Sequence, residues 1–331
     1  MTRSSTFLLA ALLITTLAAC GGTSGGLGSV PTPVPTPLAS AEPSSPDLTP
    51  APSGSASPSS APSDEPNSGS SDEPGASASP GTPATETMIV RAYFVLGGEP
   101  GVEGLVPVLR IVPKSAAVAT AAMTALLKGP DPESTRERTI TTGIPAGSRL
   151  LGISIKSGIA TVNLSTEFDS GGGDGSMHYR LAQVVYTLTQ FSTVRSVVFQ
   201  IEGHTVTVFG SEGIVLDGPV GRSDYVGQLP AIFVDRPAYG AALSNPGPVS
   251  GNADVFEATF RIAILDASGK SIVDQQVMAT CGTGCRGTFA ASPRYTVSKA
   301  QWGTLRVYNP SAKDGTPEGT RDYPVWLTPA G

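Results

Sequence analysis

From Met88 onward the chain switches between apolar runs of period two and runs of period 3.6. "MIVRAYFVL" (Met88–Leu96) predicts a strand. "LVPVLRIV" (Leu105–Val112) predicts a second, with Pro107 marking an edge or a bulge. Ser115 is placed to cap a helix that runs through Leu127. Val118, Ala119, Ala122, Met123, Leu126 and Leu127 form its apolar stripe, and Gly129-Pro130 stops it. "LLGISIKSGIATVNL" (Leu150–Leu164) predicts a hairpin turning at Ser157-Gly158. A second helix is expected from Ser176, burying Leu181, Val184, Val185 and Leu188. "VRSVVFQI" and "HTVTVF" then predict a hairpin around Glu202-Gly203. The order ββαββαββ predicts an α+β domain over 88–216, with two helices against a twisted sheet.

The pattern changes at "LPAIFVDRPAYGAALSNPGPVSG", which introduces short strands. "DVFEATFRIAILD" offers Val255, Ala258, Phe260, Ile262 and Ile264 as core positions, with a register break at a bulge. "ASGK" is a turn. "SIVDQQVMAT", "RGTFAASPRYTV", "QWGTLRVYN" and "RDYPVWLT" follow as further strands. About seven strands with turn residues between them predict an all-β sandwich over 229–331.

These residues carry two resemblances. "RAYFV", "ALLKGPDP", "GIPAGSRLLGISIKSGIATVNLSTEF" and "AQVVYTLTQFSTVRSVVFQIEG" resemble, in order, the GerMN domain of bacterial sporulation and spore-germination proteins. "NPGPVSG", "ADVFEAT", "DASGK", "GTGCRGTF" and "VYNPSAKDGTPEG" before "YPVWL" resemble the Gmad2 domain, an immunoglobulin-like sandwich that commonly follows GerMN. The resemblances imply non-catalytic modules that bind a ligand or protein partner. They bring no consensus active site and no cofactor.

The N-terminal pattern has a different meaning. "MTRSSTFLLAALLITTLAAC" has a basic start at Arg3 and an apolar run from Phe7 to Leu17. That run is too short to span a bilayer and suits the core of a secretory signal. Leu17-Ala18-Ala19-Cys20 resembles the lipobox of bacterial lipoproteins, which implies a signal peptide over 1–19 and a lipidated Cys20. An ordinary secretory signal with an incidental cysteine is the alternative. Composition extends the picture. Of the chain's 27 acids and 21 bases, seven acids and no base lie between Arg3 and Arg91. The segment 20–87 is rich in Ser, Pro, Ala, Gly and Thr, has no aromatic residue, and is expected to be a disordered tether. The remainder is nearly neutral, and no basic patch suggests nucleic acid. The expected location is extracytoplasmic, held at the bacterial cell membrane by lipid.

Candidate chemistry is sparse. His178 and His204 are the chain's two histidines, and neither has a partner at useful spacing. Gly22–Gly26 matches a G-x-S-x-G pattern but has no strand-turn-helix context. Gly269-Lys270-Ser271 lacks the first glycine of a phosphate loop, since position 264 is Ile264. Ser170–Ser176 ("SGGGDGS") opens a helix and reads as a capped loop in preference to an anion cradle. Asp169 and Asp174 fit no EF-hand spacing. Trp302, Tyr308 and Trp326 read as sandwich core in preference to a carbohydrate platform.

The leading expectation is therefore a membrane-anchored binding lipoprotein, not an enzyme, without metal or cofactor. Its partner would be a protein or a cell-wall component. A hydrolase acting on the envelope is the alternative, and clustering of Glu167, Asp169 and His178 would support it. A solute-binding lipoprotein is a third reading, which a β-sandwich second domain argues against.

The cysteines complete the reading. With Cys20 lipidated outside the cytoplasm, Cys281 and Cys285 pair with each other or with another chain. A zinc site would want four ligands. C-x-x-x-C in a sandwich loop is not a thioredoxin-like redox motif. A local Cys281–Cys285 disulfide is expected.

Overall fold

The computed structural model describes residues 86–99 and 101–330. The expected signal peptide, Cys20 and the tether as far as residue 85 lie outside the described residues, whereas Thr87, expected as the last residue of the tether, already belongs to the first strand because it pairs with Pro113.

The α+β domain begins with a long hairpin, β1 (Thr87–Leu96) and β2 (Gly104–Pro113), paired antiparallel with Tyr93 opposite Pro107. The strand β3 (Ile140–Thr141) adds to the end of β1. Helix α1 (Val118–Leu127) packs on this hairpin and buries Ala122, Met123 and Leu126. Ser115 does not cap it. The Ser115 hydroxyl accepts the Ala117 N–H at 3.0 Å, and the helix starts one residue later without a side-chain cap.

A second sheet follows in the order β4-β5-β6-β7, from β4 (Leu150–Lys156), β5 (Ile159–Leu164), β6 (Ser196–Ile201) and β7 (His204–Thr205). Two-residue turns close both of its hairpins. Ser157 and Gly158 have φ of 51° and 83°, and Glu202 and Gly203 have 49° and 84°, the left-handed pair that matches strand twist. The run "HTVTVF" is not one strand. It leaves β6 after Thr205, and β8 (Val208–Phe209) pairs instead with β9 (Ile214–Val215).

Two larger sheets and the short β8–β9 pair thus stand where one continuous sheet is expected, and helix α2 (Asp174–Leu188) separates the two larger ones. It begins two residues before Ser176, and from Arg180 to Leu188 it is buried all round. Thr187 on α2 and Gln190 just beyond it serve the edge of β1 as a neighbouring strand would. Gln190 accepts the Arg91 N–H at 2.9 Å and donates to its carbonyl at 2.6 Å. Thr187 accepts the Tyr93 N–H at 3.1 Å, and Gln183 donates to the Tyr93 carbonyl at 3.0 Å. These side chains, spaced i, i+4, i+7, satisfy backbone groups that would otherwise be stranded in the core.

The second domain is a β-sandwich. One sheet has the order β10-β12-β15, from β10 (Ile232–Arg236), β12 (Val249–Ala253) and β15 (Gly287–Ala291). The other runs β11-β17-β16-β13-β14, from β11 (Ala242–Leu243), β13 (Thr259–Leu265), β14 (Ser271–Met278), β16 (Gln301–Pro310) and β17 (Pro317–Leu327). Phe260 and Phe289 meet edge-on between the sheets, 4.9 Å apart. Phe260, Ile262 and Ile264 are fully buried. The register breaks before them at Phe256–Ala258, where Glu257 and Ala258 are left-handed. The two domains share one continuous apolar core, from Ala92 in β1 to Leu327 in β17.

Candidate functional site

Three groups of contacts seal the domains together. At the first, Tyr93 donates to Asp235 Oδ1 at 2.5 Å, and Arg91 Nη1 reaches Asp235 Oδ2 at 3.2 Å. Arg222 lies 3.7 Å from the same carboxylate and donates to the Tyr93 hydroxyl at 3.2 Å. Burial, then the charge of Asp235, pushes the Tyr93 phenol well above its ordinary value, and burial raises Tyr186 beside it to about 12. Both stay protonated at neutral pH, so Tyr93 remains a donor. At the second, Arg321 is only 2 % exposed and donates to the carbonyls of Val102, Gly104 and Leu105 on the hairpin.

The third is a backbone seam. Tyr239 donates its N–H to the Pro107 carbonyl at 2.7 Å and accepts from the Leu109 N–H at 3.1 Å. In a strand, N–H and C=O of one residue point to the same side. The ring nitrogen of Pro107 therefore faces outward, which is why proline is tolerated within a regular strand.

Beyond Leu109 this edge opens into a cleft of about 900 Å³ between the domains. One wall is β2 from Leu109 to Pro113. A second is the small-residue face of α1, with Ala121 and Ala125, extended by Ala117 just before the helix. The loop from Lys128 to Glu137 closes one end, and Tyr239, Gly240 and Trp302 come from the second domain. The loop is held by a bidentate pair, Arg110 to Glu137 at 2.8 and 2.7 Å. The Arg136 guanidinium stacks 3.8 Å over the Trp302 ring, and the Tyr239 hydroxyl donates to the Arg136 carbonyl at 2.5 Å. Arg136 and Tyr239 also line a smaller cavity of about 280 Å³ on the junction, beside Arg321.

The cleft brings together residues that the sequence left unassigned. "ALLKGPDP" lines its wall and end. Trp302 and Trp326 are not core. They pair edge-on at 5.3 Å on the outer face of their sheet, opposite each other in β16 and β17. Leu305, Val307, Val325 and Leu327 take the inner face instead. Tyr308 is buried, and its hydroxyl donates to Asp274 at 2.8 Å.

Other expected candidates are engaged separately. Glu167 pairs with Arg149 at 3.2 Å, and hydrogen bonding from Ser165 holds its carboxyl below the usual range. Asp169 accepts the Gly210 N–H at 2.8 Å. His178 Nδ1 lies 3.0 Å from the Asp174 carbonyl, and His204 is exposed. The glycine loop before α2 turns carbonyls inward. Arg180, 1 % exposed, donates to Phe168, Ser170, Gly171 and Gly143 carbonyls. That arrangement is a cation held by backbone oxygens, which explains the loop without an anion.

Cys281 and Cys285 form a disulfide. Its loop lies on the turn before β13: Thr283 N–H donates to the Val255 carbonyl, and Gly284 N–H to Asp254 Oδ1, both at 3.0 Å. The double variant Cys281→Ser/Cys285→Ser should lose about 2 kcal/mol, the chain-entropy value for so short a loop. The shift of the urea midpoint tests this, and no shift would show that the backbone contacts suffice.

The family comparisons agree with this architecture. Residues 91–207 match the Germane family, described as "Sporulation and spore germination". Residues 231–316 match Gmad2, "Immunoglobulin-like domain of bacterial spore germination". The chain contains two family modules in tandem. It carries a Germane (GerMN) domain followed by a Gmad2 domain. Among solved structures it is similar to the tandem GerMN domains of the sporulation protein GerM from Bacillus subtilis, with 19 % identity, 58 % of this chain covered and a TM-score of 0.36. The chain spans 60 % of that structure's length. The first GerMN domain of the same protein gives 21 % identity, 41 % of this chain, 99 % of its own length and a TM-score of 0.35. No curated protein sequence matches the chain.

Proposed function

We propose that the chain is a non-catalytic binding protein of the cell envelope, lipidated at Cys20 and displayed outside the membrane. The cleft between the GerMN and Gmad2 domains is its partner-binding surface. The observation that carries this reading is that both domains build the cleft over a shared core. Binding surfaces favour concave junctions between domains. A sealed junction presents such a surface without an ordering cost on binding. The family descriptions favour sporulation or spore germination as the setting, and a role in envelope assembly is the other setting that this reading allows.

Two measurements test the reading. Changing Cys20→Ala should move the protein out of the membrane fraction or leave it unprocessed. Processing and membrane retention as before would overturn the anchor. A photo-crosslinking amino acid at Thr124, in the cleft wall, should give a discrete adduct in intact cells. The same probe at exposed Thr316, on the β16–β17 turn, should not. Equal labelling at both positions, or none at Thr124, would overturn the cleft assignment.

A further inference from the structure

We propose that the cleft takes an extended, apolar peptide segment of a partner protein, added as a short strand to the open edge of β2. This rests on reading the cleft as the binding surface, and it names the chemistry of the occupant.

The backbone of β2 carries the argument. Odd-numbered residues of β2 turn their N–H and C=O away from β1. The chain itself uses the first part of that edge. Arg321 takes the Leu105 carbonyl, and Tyr239 takes the Pro107 carbonyl and the Leu109 N–H. Tyr239 then leaves: Gly240 donates its N–H to Pro324 on β17 instead. Where it departs, the Ile111 N–H, the Ile111 C=O and the Pro113 C=O continue the same edge. Among the described residues they have no hydrogen-bond partner. They open into the cleft. An unpaired strand edge is a template for another strand, and continuing an existing seam keeps the register already set.

The side walls fit the same occupant. Successive residues of an added strand point alternately to the two faces of the sheet. One set would meet the small side chains of Ala121 and Ala125 on α1 and of Ala117 just before it, which leave room for apolar side chains. The other would meet Ile111, itself 67 % exposed, and its cross-strand neighbour Ile89, 68 % exposed. The Arg110–Glu137 pair leaves no unmatched charge on the strand itself, so the part of the occupant that lies along β2 is apolar, and the charges of Lys128 and Asp131 stand only at the loop end of the cleft. Pro113 has no N–H and ends the ladder, which sets the occupant as a short segment instead of a whole sheet.

The test uses random dodecapeptides displayed on phage, selected on the full-length chain. Selected peptides made synthetically should lose about tenfold in affinity for Ile111→Pro, because the donor is removed, and little for Ile111→Ala. The proline variant should fold, since Pro107 and Pro113 already occupy this edge with their nitrogens outward. An independent reading needs no protein variant. Single N-methylation along the peptide should weaken binding at every second residue. No enriched peptide, a flat N-methyl scan, or equal binding to Ile111→Pro overturns the proposal. So does binding of an N-acetylglucosamine–N-acetylmuramic acid disaccharide that Trp302→Ala abolishes and Ile111→Pro leaves intact. A Thr124 adduct in cells combined with any of these results retires the peptide and keeps the cleft.

Discussion

Arg321→Met should lower the melting temperature by about 6–12 °C, the largest loss expected from any single side chain at the junction. Methionine keeps most of the aliphatic stem and its packing. What it removes is a guanidinium that serves the carbonyls of Val102, Gly104 and Leu105 and donates to the Tyr323 hydroxyl at 2.8 Å. The bonds to Gly104, Leu105 and Tyr323 are buried and the one to Val102 is partly so, with Arg321 itself 2 % exposed. An acceptor stranded in the interior costs about 1–3 kcal/mol, and one or two of the carbonyls would stay stranded after relaxation. A total near 3 kcal/mol follows, which gives the stated shift for a folded unit of this size. The wild-type protein should melt in one calorimetric transition, because the two domains share a core. The variant should broaden or split it. A melting point within about 2 °C of wild type would mean that Arg321 is a bystander at the seam.

The sequence carried the elements well and the junction poorly, for a physical reason. Periodicity reports which face of an element is apolar, so β1, β2, α1, the hairpin at Ser157-Gly158 and most sandwich strands were legible. It does not report what an apolar face meets. Gln183, Thr187 and Gln190 are polar residues on or beside a buried helix. Their spacing marks one side of α2, but nothing local says that this side serves the edge of β1. Trp302 and Trp326 have the size and hydrophobicity of core residues. Their position in the alternation of β16 and β17 puts them outside, and that parity depends on the register of both strands. The cleft is harder still. It is built by α1, β2, a loop and two segments over a hundred residues further on. Its one local trace was "ALLKGPDP", visible as a motif but not as a wall. Arg136 gave no signal, since its role comes from the ring stacked beneath it. The cysteine pair was legible because its geometry is nearly local, five consecutive residues with two glycines.

Gly251→Ala should be among the most damaging single substitutions in the chain, costing about 4 kcal/mol or more, and its effect should be felt in the other domain. An added Cβ would lie 1.9 Å from the Phe233 carbonyl oxygen and 3.1 Å from the Asp235 nitrogen. Both are backbone atoms of β10, so no rotamer change relieves the contact, and overpacking costs are largest in that circumstance. The backbone at Gly251 is not left-handed, so space and not conformation demands glycine there. The crowding arises from a bulge. Gly251 pairs with Val234 and Ser250 with Arg236, leaving Asp235 as the extra residue on β10. A bulge re-aims a side chain. Here it turns the Asp235 carboxylate onto Tyr93 and Arg91 of the first domain. Pushing β10 outward would withdraw that carboxylate and leave the partly buried Arg91 and Arg222 and the fully buried Tyr93 phenol without it, a further loss of the kind that follows when one partner of a buried pair is removed. Hydrogen exchange should therefore rise at the amides of Arg91 and Tyr93 as well as along β10 and β12. Gly152→Ala is the matched control, since a Cβ there meets nothing within 4 Å, and it should leave the melting temperature unchanged. If Gly251→Ala melts like wild type, or if faster exchange stays confined to the sandwich, the bulge does not hold the domains together in this way.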